Sequence, residues 1–365
     1  MLYITYGNAI PLTVGVHKKV NNQVEVFSKY FSNVYLMKVA FGIAYLYFEG
    51  TVIEKRLALD TRTQLECAKE WIREKALHYV YIRNKPPLEK EVIDFFSAMK
   101  NDGVKVLMEF PNYPVETEII NRPLLAEDFL NRPYLKDNIK LVTTFSETND
   151  IYGVPAIVLH NGVSLKEEKQ RSVRVRSKEI HLLSVATMMN HHGYERLLET
   201  LFKGKMSDSG YTIKCKLAGE GKEVEKYKSL VHELGLENDV FFCGKKTGKE
   251  LDDLYAWADI GIGALGMYKC GYDSASPIKT KEYCARGLPF IYGYDDIGFS
   301  GEEEYTRRVS NSDEDIDVNV IIDLYEQTVG RQEVIDEMRE YTIKYFTWDV
   351  VLKPVIDFYL DEPQV

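Results

Sequence analysis

One short stretch, ASPIKTKEYCARGLPFI at residues 275–291, carries the residue types best suited to ligand chemistry. Ser276 is a good N-cap and Pro277 suits the first position of a helix, so the free N–H groups that follow predict an anion site reinforced by the helix dipole. Lys279 would add a positive charge one turn in, and Glu282 lies on the same face and could accept a hydroxyl hydrogen bond. The stretch predicts a site for a diphosphate; the alternative is an ordinary capped helix with a Lys–Glu pair.

Polar residues in the first half of the chain follow strand-like segments. Arg83 ends YVYIR, and Glu109 and Asn112 lie in EFPNYP, directly after VKVLM. Open α/β sheets bind ligands at the carboxyl ends of their strands, so these three residues are predicted ligand contacts, with ordinary loop contacts as the alternative. Gly15 lacks a Cβ and could let the backbone approach a phosphate closely, or form an ordinary flexible turn.

The elements that must position these residues appear as alternating patterns. Strand-like and helix-like segments alternate five times between residues 181 and 294, which predicts a parallel, doubly wound sheet. Within YTIKCKLA (211–218), every second residue is apolar, and Gly235 is placed to end the helix that follows. The first half is less regular and predicts a second α/β sheet, with a hairpin through residues 44–57.

Chain length favours two cores. A chain of 365 residues with 45% hydrophobic content exceeds what one core usually organises. We expect an N-terminal domain at 1–165, a C-terminal domain at 166–345 and a closing helix at 346–365. The basic stretch from Lys166 to Lys178 reads as a solvated linker between the domains, with a contact to anionic lipid headgroups as the alternative.

Composition excludes several other classes of protein. The formal net charge of −10 disfavours nucleic-acid binding, and five cysteines without paired spacing indicate a reducing cytoplasm and no zinc site. The longest apolar run holds ten residues, whereas a spanning helix needs about twenty, and the N-terminal residues do not resemble a signal peptide. Asp313, Asp315 and Asp317 read as a solvated turn before a helix rather than a metal site, so no metal is expected.

The order of these segments resembles glycosyltransferase family 4. SPIKTKEYCARGLPF is close to the SPLKxxEYxAxGxPF form of its bacterial polysaccharide-assembly members. Upstream, VATMMNHHGYERLLETL (185–201) and KLAGEGKEVEKYKSLVHELGLENDVFFCGKKTGKELDDLYAWADIGIGAL (216–265) follow the family in register. In the first half, AIVLHNGVS (156–164) resembles the end of the family's N-terminal domain, and TVGVHKK (13–19) occupies the place of its glycine loop.

The resemblance implies a GT-B fold, in which two Rossmann-like domains face each other across a cleft. It implies a retaining, metal-independent and cofactor-free transfer from a UDP- or GDP-sugar donor to a saccharide or lipid-linked saccharide acceptor, in capsular or exopolysaccharide assembly. Such an enzyme would be cytoplasmic, with peripheral contact to the membrane left open. A sugar-nucleotide 2-epimerase of the same fold and a catalytically inactive nucleotide-sugar-binding protein are the alternatives.

The resemblance also assigns residues, with Glu282 as the ribose ligand. The first acid of the family's paired acidic motif falls on Ser274, and its arginine and lysine fall on Thr187 and His192. Lys279 is the candidate substitute for the missing charge, and His192 could donate a hydrogen bond. The expected catalytic residues are Glu109, Lys279 and His192, and the expected acceptor side comprises Arg83, Glu109 and Asn112. The expected donor-binding residues are Gly15, Thr187, His192, Gly219, Gly221, Lys245, Ser276, Pro277, Ile278, Lys279, Thr280 and Glu282.

Overall fold

The computed structural model describes residues 1–7, 14–117, 119, 122–207 and 209–361. The chain divides into two compact units. Unit 1 comprises Met1–His160 together with the segment that begins at Trp348, and unit 2 comprises Asn161–Thr347. Unit 1 is therefore discontinuous in sequence, whereas unit 2 is a single segment.

Unit 1 is built on one mixed sheet. In the part of it that the structure describes, the strands are β1 (Leu2–Thr5), β2 (Tyr35–Ala40), β3 (Ile43–Phe48), β4 (Thr51–Leu57), β5 (Tyr79–Arg83), β6 (Lys105–Phe110), β7 (Val142–Thr144), β8 (Asp150–Ile151) and β9 (Val154–Val158). The helices that precede unit 2 are α1 (Val14–Tyr30), α2 (Thr61–Glu74), α3 (Lys90–Asn101), α4 (Arg122–Asn131) and α5 (Leu135–Asn138). The strand order is β4-β3-β2-β1-β5-β6-β7-β9-β8.

Side chains of the unit 1 sheet alternate between two buried layers. Leu2 and Ile4 of β1 face one apolar cluster, and Tyr3 faces the other. This alternation is the period of two expected of a strand covered on both faces. β3 and β4 pair antiparallel, which confirms the predicted hairpin.

Unit 2 is built on a parallel sheet. Its elements in chain order are β10 (Glu179–Val185), α6 (Tyr194–Met206), β11 (Thr212–Ala218), α7 (Val224–Glu233), β12 (Val240–Gly244), α8 (Gly248–Trp257), β13 (Ile260–Ile262), β14 (Ser274–Ala275), α9 (Ile278–Arg286), β15 (Phe290–Tyr292), β16 (Asp295–Asp296), β17 (Thr306–Arg308), α10 (Val318–Thr328) and α11 (Gln332–Tyr345). The main sheet has the order β12-β11-β10-β13-β15-β17, and β14 and β16 form a separate pair. Both apolar clusters of the unit draw on β10, with Leu182 on one face and Leu183 on the other.

The C-terminal segment forms two helices instead of the single closing helix expected from the sequence. These are α12 (Trp348–Val351) and α13 (Lys353–Asp361). They join the apolar layer of unit 1 that contains Tyr3, and the hydroxyl of Tyr359 donates to the carbonyl oxygen of Val80 over 2.6 Å. The segment therefore completes the core of unit 1.

Residues 166–178 are mostly exposed, as expected of a solvated stretch, but several of their side chains are fastened to the rest of unit 2. Arg286 donates from Nε to the carboxylate of Glu168 over 2.6 Å, and both side chains are buried. Arg171 donates to the carbonyl oxygen of Gly287 over 2.9 Å, and Arg174 pairs with Asp259 over 2.7 Å. The stretch therefore belongs to unit 2 and is held to it by these contacts.

The structure supplies no membrane-spanning helix: over the ranges it describes, no helix combines the length and the apolar character that a bilayer crossing requires.

The end of α9 generates a stability prediction. Gly287 ends this helix at φ +74°, and a Cβ there would lie 2.5 Å from Cγ2 of Ile335 in α11. Gly235, after α7, has a similar φ of +62° but open space around the same position. We expect Gly235→Ala to cost about 1–2 kcal/mol for left-handed backbone, and Gly287→Ala about 1–3 kcal/mol more for overpacking, measured by chemical denaturation. Equal losses in the two variants would show that the contact with Ile335 is not restrictive.

Candidate functional site

The strand order of unit 2 places a crevice between two adjacent strands. β10 pairs with β11 on one side and with β13 on the other, so the chain leaves β10 in one direction and later returns beside it. Ligands of open α/β sheets bind outside the carboxyl ends of the strands at this reversal. The loops that follow β10 and β13 are therefore where a ligand site is expected.

These two loops are held against each other by backbone contacts. The N–H of Leu265 donates to the carbonyl oxygen of His192 over 2.9 Å, and that of Gly266 donates to His191 over 3.2 Å. Gly193 has a φ of +59°, and a Cβ at this position would lie 2.7 Å from the backbone nitrogen of Gly266. Only glycine fits both the conformation and the close approach, so the histidine-bearing turn has a fixed place.

Lys279 is the most unusual charge of the site. It lies in the first turn of α9 and is only 7% exposed. Its ammonium donates to the hydroxyl of Tyr194 over 3.1 Å and forms no ion pair with any residue that the structure describes. Burial lowers the pKa of Lys279 to about 7, while the charge of Glu282 acts in the opposite direction. A buried cation without a bonded counter-ion is costly, and either loss of the proton or binding of an anion relieves that cost.

Two histidine rings lie beside this lysine, with centroids 4.3 Å apart. Burial, followed by the charge of Lys279, holds the pKa of His192 far below its usual range and lowers that of His191 in the same way. Nδ1 of His192 accepts the N–H of Met189 over 3.1 Å. Nδ1 also lies 3.3 Å from the carbonyl oxygen of Met189; in the neutral tautomer that accepts the Met189 N–H, the proton is on Nε2, where it can donate to a ligand without adding charge.

The predicted glycines after β11 lie against the loop that follows β10. A Cβ on Gly219 would overlap the carbonyl oxygen of Ala186, and one on Gly221 would overlap that of Met188. A cavity of about 410 Å³ opens beside them. Its lining comprises Gly219, Glu220, Gly221, Val224, Lys228, Phe242 and Gly244. Thr187 and Lys245, the other donor-binding residues expected in these loops, are exposed.

Ser276 does not cap α9, which corrects the sequence-based expectation. Pro277 is the N-cap residue and makes no side-chain cap hydrogen bond. Ser276 instead accepts the backbone N–H of Asn161 at its hydroxyl over 3.2 Å. Thr280 donates to the carboxylate of Asp296 over 2.7 Å, so its side chain serves the fold. The donor contacts expected of Ile278 and Thr280 remain predictions.

Glu282 lies in the next turn of the same helix. Its side chain is half-buried, and its charge is felt by Lys279 and by the buried hydroxyl of Tyr255. The i, i+3 spacing that the sequence indicated is present, since both residues belong to α9. The helix thus brings one cation and one carboxylate toward the same side.

A second lysine of this helix was missed by sequence reasoning. Lys281 is fully buried and pairs closely with Asp296, which is also fully buried. Asp296 further accepts the N–H of Gly298 over 3.0 Å and the hydroxyl of Tyr294 over 3.3 Å. Nothing in the sequence near Lys281 signals this pair, because its partner lies beyond the following strand.

The residues expected on the acceptor side lie in unit 1. Arg83 ends β5 as predicted, and Asn112 is exposed in the loop after β6. Glu109 lies within β6 rather than after it and is 0% exposed. Gly15 lies in the first turn of α1 instead of a glycine loop, and Thr13 of the same motif lies outside the described residues.

Glu109 is enclosed by donors. Its carboxylate pairs with Arg83 and with Lys19, the latter over 3.4 Å, and accepts the hydroxyl of Tyr81 over 2.7 Å and the amide of Gln23 over 3.0 Å. Burial opposes the charged form, but Lys19, Arg83 and the hydrogen bonds outweigh it and lower the pKa of Glu109 to about 2. This environment suits a fixed counter-charge better than a group that exchanges protons with a ligand.

The buried Lys281–Asp296 pair gives the second prediction. Asp296→Asn leaves the ammonium of Lys281 buried without an opposite charge, so we expect a loss of about 3–5 kcal/mol in the free energy of unfolding. Adding Lys281→Met to that variant should restore at least half of the loss, as chemical denaturation would measure. A single variant within about 1 kcal/mol of the parent would contradict the pair's role in holding α9.

Unit 2 contains a segment whose sequence is similar to that of known proteins. Residues 166–298 match the family model of glycosyl transferases group 1, and no curated protein sequence matches the chain. WaaG, a glycosyltransferase involved in lipopolysaccharide biosynthesis, is similar at a TM-score of 0.62 and 12% identity, with 99% of this chain and 100% of that chain covered. A glycosyltransferase from Rickettsia africae ESF-5 has a TM-score of 0.61 at 17% identity, covering 81% and 80% of the two chains.

HepE from Anabaena, solved in complex with UDP, has a TM-score of 0.58 at 11% identity and covers 82% of each chain. At these identities the likeness concerns the fold. The GT-B fold class expected from the sequence is thereby confirmed, and unit 2 carries the segment that matches the group 1 glycosyl transferases.

Proposed function

We propose that this protein is a retaining glycosyltransferase that transfers a hexosyl group from a nucleotide-sugar donor to a saccharide or lipid-linked saccharide. The observation that carries the proposal is Lys279, a buried lysine in the first turn of α9 that forms no ion pair with the residues the structure describes. It lies in the segment that matches the group 1 glycosyl transferases. The departing nucleotide diphosphate is the anion that such a position would stabilise.

The chemistry of the site suits a leaving diphosphate. The free N–H groups at the start of α9, the helix dipole and Lys279 supply positive potential, and Nε2 of His192 supplies a neutral donor. These groups would supply the positive charge that an arginine and a lysine supply in family 4, at the positions where this chain has Thr187 and His192. We propose that they act without a divalent metal, since the potential comes from the protein itself.

The nucleoside end is assigned to the neighbouring loops. We propose that the ribose donates to Glu282 and that the base enters the cavity beside Gly219 and Gly221. UDP is the first donor nucleotide to test, because HepE of Anabaena was solved with it; GDP is the second. Polysaccharide assembly in the cytoplasm is the proposed setting, in keeping with the role of WaaG in lipopolysaccharide biosynthesis and with five cysteines that are all free.

Nucleotide release tests the proposal and its rivals. UDP- and GDP-sugars are incubated with the protein in excess EDTA, with and without saccharide acceptors, and free nucleotide and sugar products are measured. Transfer is expected to give free diphosphate and an α-linked product when the donor sugar is α-linked. A donor epimer formed without acceptor would identify a 2-epimerase. Tight donor binding without turnover would favour the inactive binding protein that Ser274 and Thr187 suggest.

Removing the charge of Glu282 should weaken nucleotide binding. A hydrogen bond to a charged group contributes about 1.5–3 kcal/mol, so Glu282→Gln should raise the Kd for UDP by about one to two orders of magnitude. Calorimetric titration measures this, with Glu199→Gln on the exposed face of α6 as the control for the same change in charge. If Glu282→Gln binds UDP like the parent while its Tm falls by several degrees, the residue is a structural partner of the helix.

Binding of UDP should weaken as the pH rises above neutrality. The pKa of Lys279 is about 7 in the free protein, so above that pH the lysine must regain a proton to pair with a phosphate. The terminal phosphate has a pKa of about 6 and is already ionised. Binding then takes up a proton, and the Kd should rise by up to about tenfold per pH unit between pH 7 and 9.

Lys279→Met is the matched variant for this pH dependence. It should bind UDP weakly at every pH, with a flat profile, and should bind uridine as the parent does. A parent profile that is flat between pH 7 and 9 would contradict contact between Lys279 and the diphosphate.

A further inference from the structure

Unit 1 contains its own reversal of strand order. β1 pairs with β2 on one side and with β5 on the other. The chain runs outward from β1 through β2, β3 and β4 and then returns to β5, so the carboxyl ends of β1 and β5 border a second crevice. Arg83 is the last residue of β5, and Lys19 lies on α1, the helix that precedes β2.

The charges at this edge do not balance. Lys19 and Arg83 both pair with Oε1 of Glu109, while Oε2 accepts from Tyr81 and Gln23. Glu109 is thus fully used, and two cations share one carboxylate. Lys19 also lies over the ring of Phe145, 3.3 Å from its centroid, which favours a cation but adds no negative charge.

A third buried cation lies on the other side of α1. Lys38, at 8% exposed, contacts His17 and donates to the side-chain oxygen of Asn21 over 3.0 Å. Among the residues that the structure describes, Lys38 has no carboxylate partner. Burial lowers the pKa of Lys38 to about 8. Burial is also the largest cause of the lowered pKa of Lys19, which is about 7. Both shifts reflect cations that lack sufficient compensating negative charge.

Donor atoms remain at this edge for an incoming group. Arg83 uses Nη1 for Glu109, and within the described part of the chain its Nε and Nη2 have no hydrogen-bond partner. Its side chain is 15% exposed, in contrast to the enclosed carboxylate of Glu109. A guanidinium edge of this kind matches the two oxygens of a carboxylate or phosphate.

We propose that Arg83 and Lys19 bind an oxyanion carried by the acceptor saccharide, a phosphate or a sugar carboxylate, with Glu109 as the buried counter-charge that orients both cations. The anion is assigned to the acceptor on the strength of the proposed function. Arg83 binds the anion through Nε and Nη2, and Lys19 on α1 supplies the second positive charge. The acceptor is accordingly an acidic or phosphorylated saccharide rather than a neutral one.

Binding experiments on the full chain test this assignment. Saturating UDP is added to fill the diphosphate site of unit 2, and four probes are titrated at constant ionic strength. These are glucose 6-phosphate, methyl glucuronide, methyl glucoside and inorganic phosphate. We expect glucose 6-phosphate or methyl glucuronide to bind at least about tenfold tighter than methyl glucoside, which corresponds to about 1.4 kcal/mol. The preferred probe identifies the oxyanion as phosphate or carboxylate.

Variants test which residue causes the preference for a charged sugar. Arg83→Gln should abolish it and leave the affinity for UDP unchanged, while Arg83→Lys, which keeps the charge without the fork, should retain only part of it. Lys29→Gln is the control for loss of a positive charge, since Lys29 lies on α1, the helix that carries Lys19, but is exposed and pairs with Asp349 over 2.6 Å. Circular dichroism confirms that each variant is folded.

Several outcomes would overturn the inference. These are equal binding of the charged and neutral sugars, equal losses in Arg83→Gln and Lys29→Gln, and inorganic phosphate binding as tightly as glucose 6-phosphate, which would assign a free ion. Failure of the proposed function is seen separately. If the parent protein binds no nucleotide but keeps an anion preference that Arg83→Gln removes, the anion site stands and the assignment to a glycosyl acceptor falls.

Discussion

In both units, the first strand lies between two neighbouring strands of the sheet. The connections that lead to these two neighbours run in opposite directions from the first strand. Because no loop connects β1 directly to β5, or β10 directly to β13, a crevice lies at the carboxyl ends of each pair. Polar side chains gather at these two edges, with Lys279 and His192 at one and Lys19 and Arg83 at the other. The close backbone contacts at Gly193, Gly219 and Gly221 then fix the loops around the edge in unit 2.

The three buried cations of α9 have two kinds of partner. Arg286 is paired with Glu168 and Lys281 with Asp296, and both pairs fasten one segment of the unit to another. Lys279 belongs to the same helix, and within the described part of the chain its hydrogen-bond partner is the phenol of Tyr194. On α9, carboxylates of the protein neutralise two of the three buried cations, and the third is the one that we propose meets the diphosphate.

Local patterns predicted the elements, and long-range contacts decided the details. The hairpin of β3 and β4 and the end of α7 near Gly235 follow from periodicity and turn chemistry, which act within a few residues. Ser276 has the local features of an N-cap, but its hydroxyl bonds to Asn161, far away in the sequence. Glu109 was expected directly after its strand, but the structure places it within β6, paired with Arg83 of β5 and Thr143 of β7, with Lys19 as a more distant ion partner. Rules that consider only neighbouring residues cannot predict partners this distant in the sequence.

The discontinuity of unit 1 bears on how the chain folds as it is synthesised. Trp348, Leu352 and Tyr359 fill the apolar layer that also holds Tyr3, Phe27 and Tyr81, so the first strand waits for the last helices to complete its core. Unit 2 lies between them as one uninterrupted segment. Because domains fold as units while the ribosome releases them, we expect the second half of the chain to reach its native packing first. Until α12 and α13 have left the ribosome, the layer that α1 shares with the N-terminal sheet would lack Trp348, Leu352 and Tyr359.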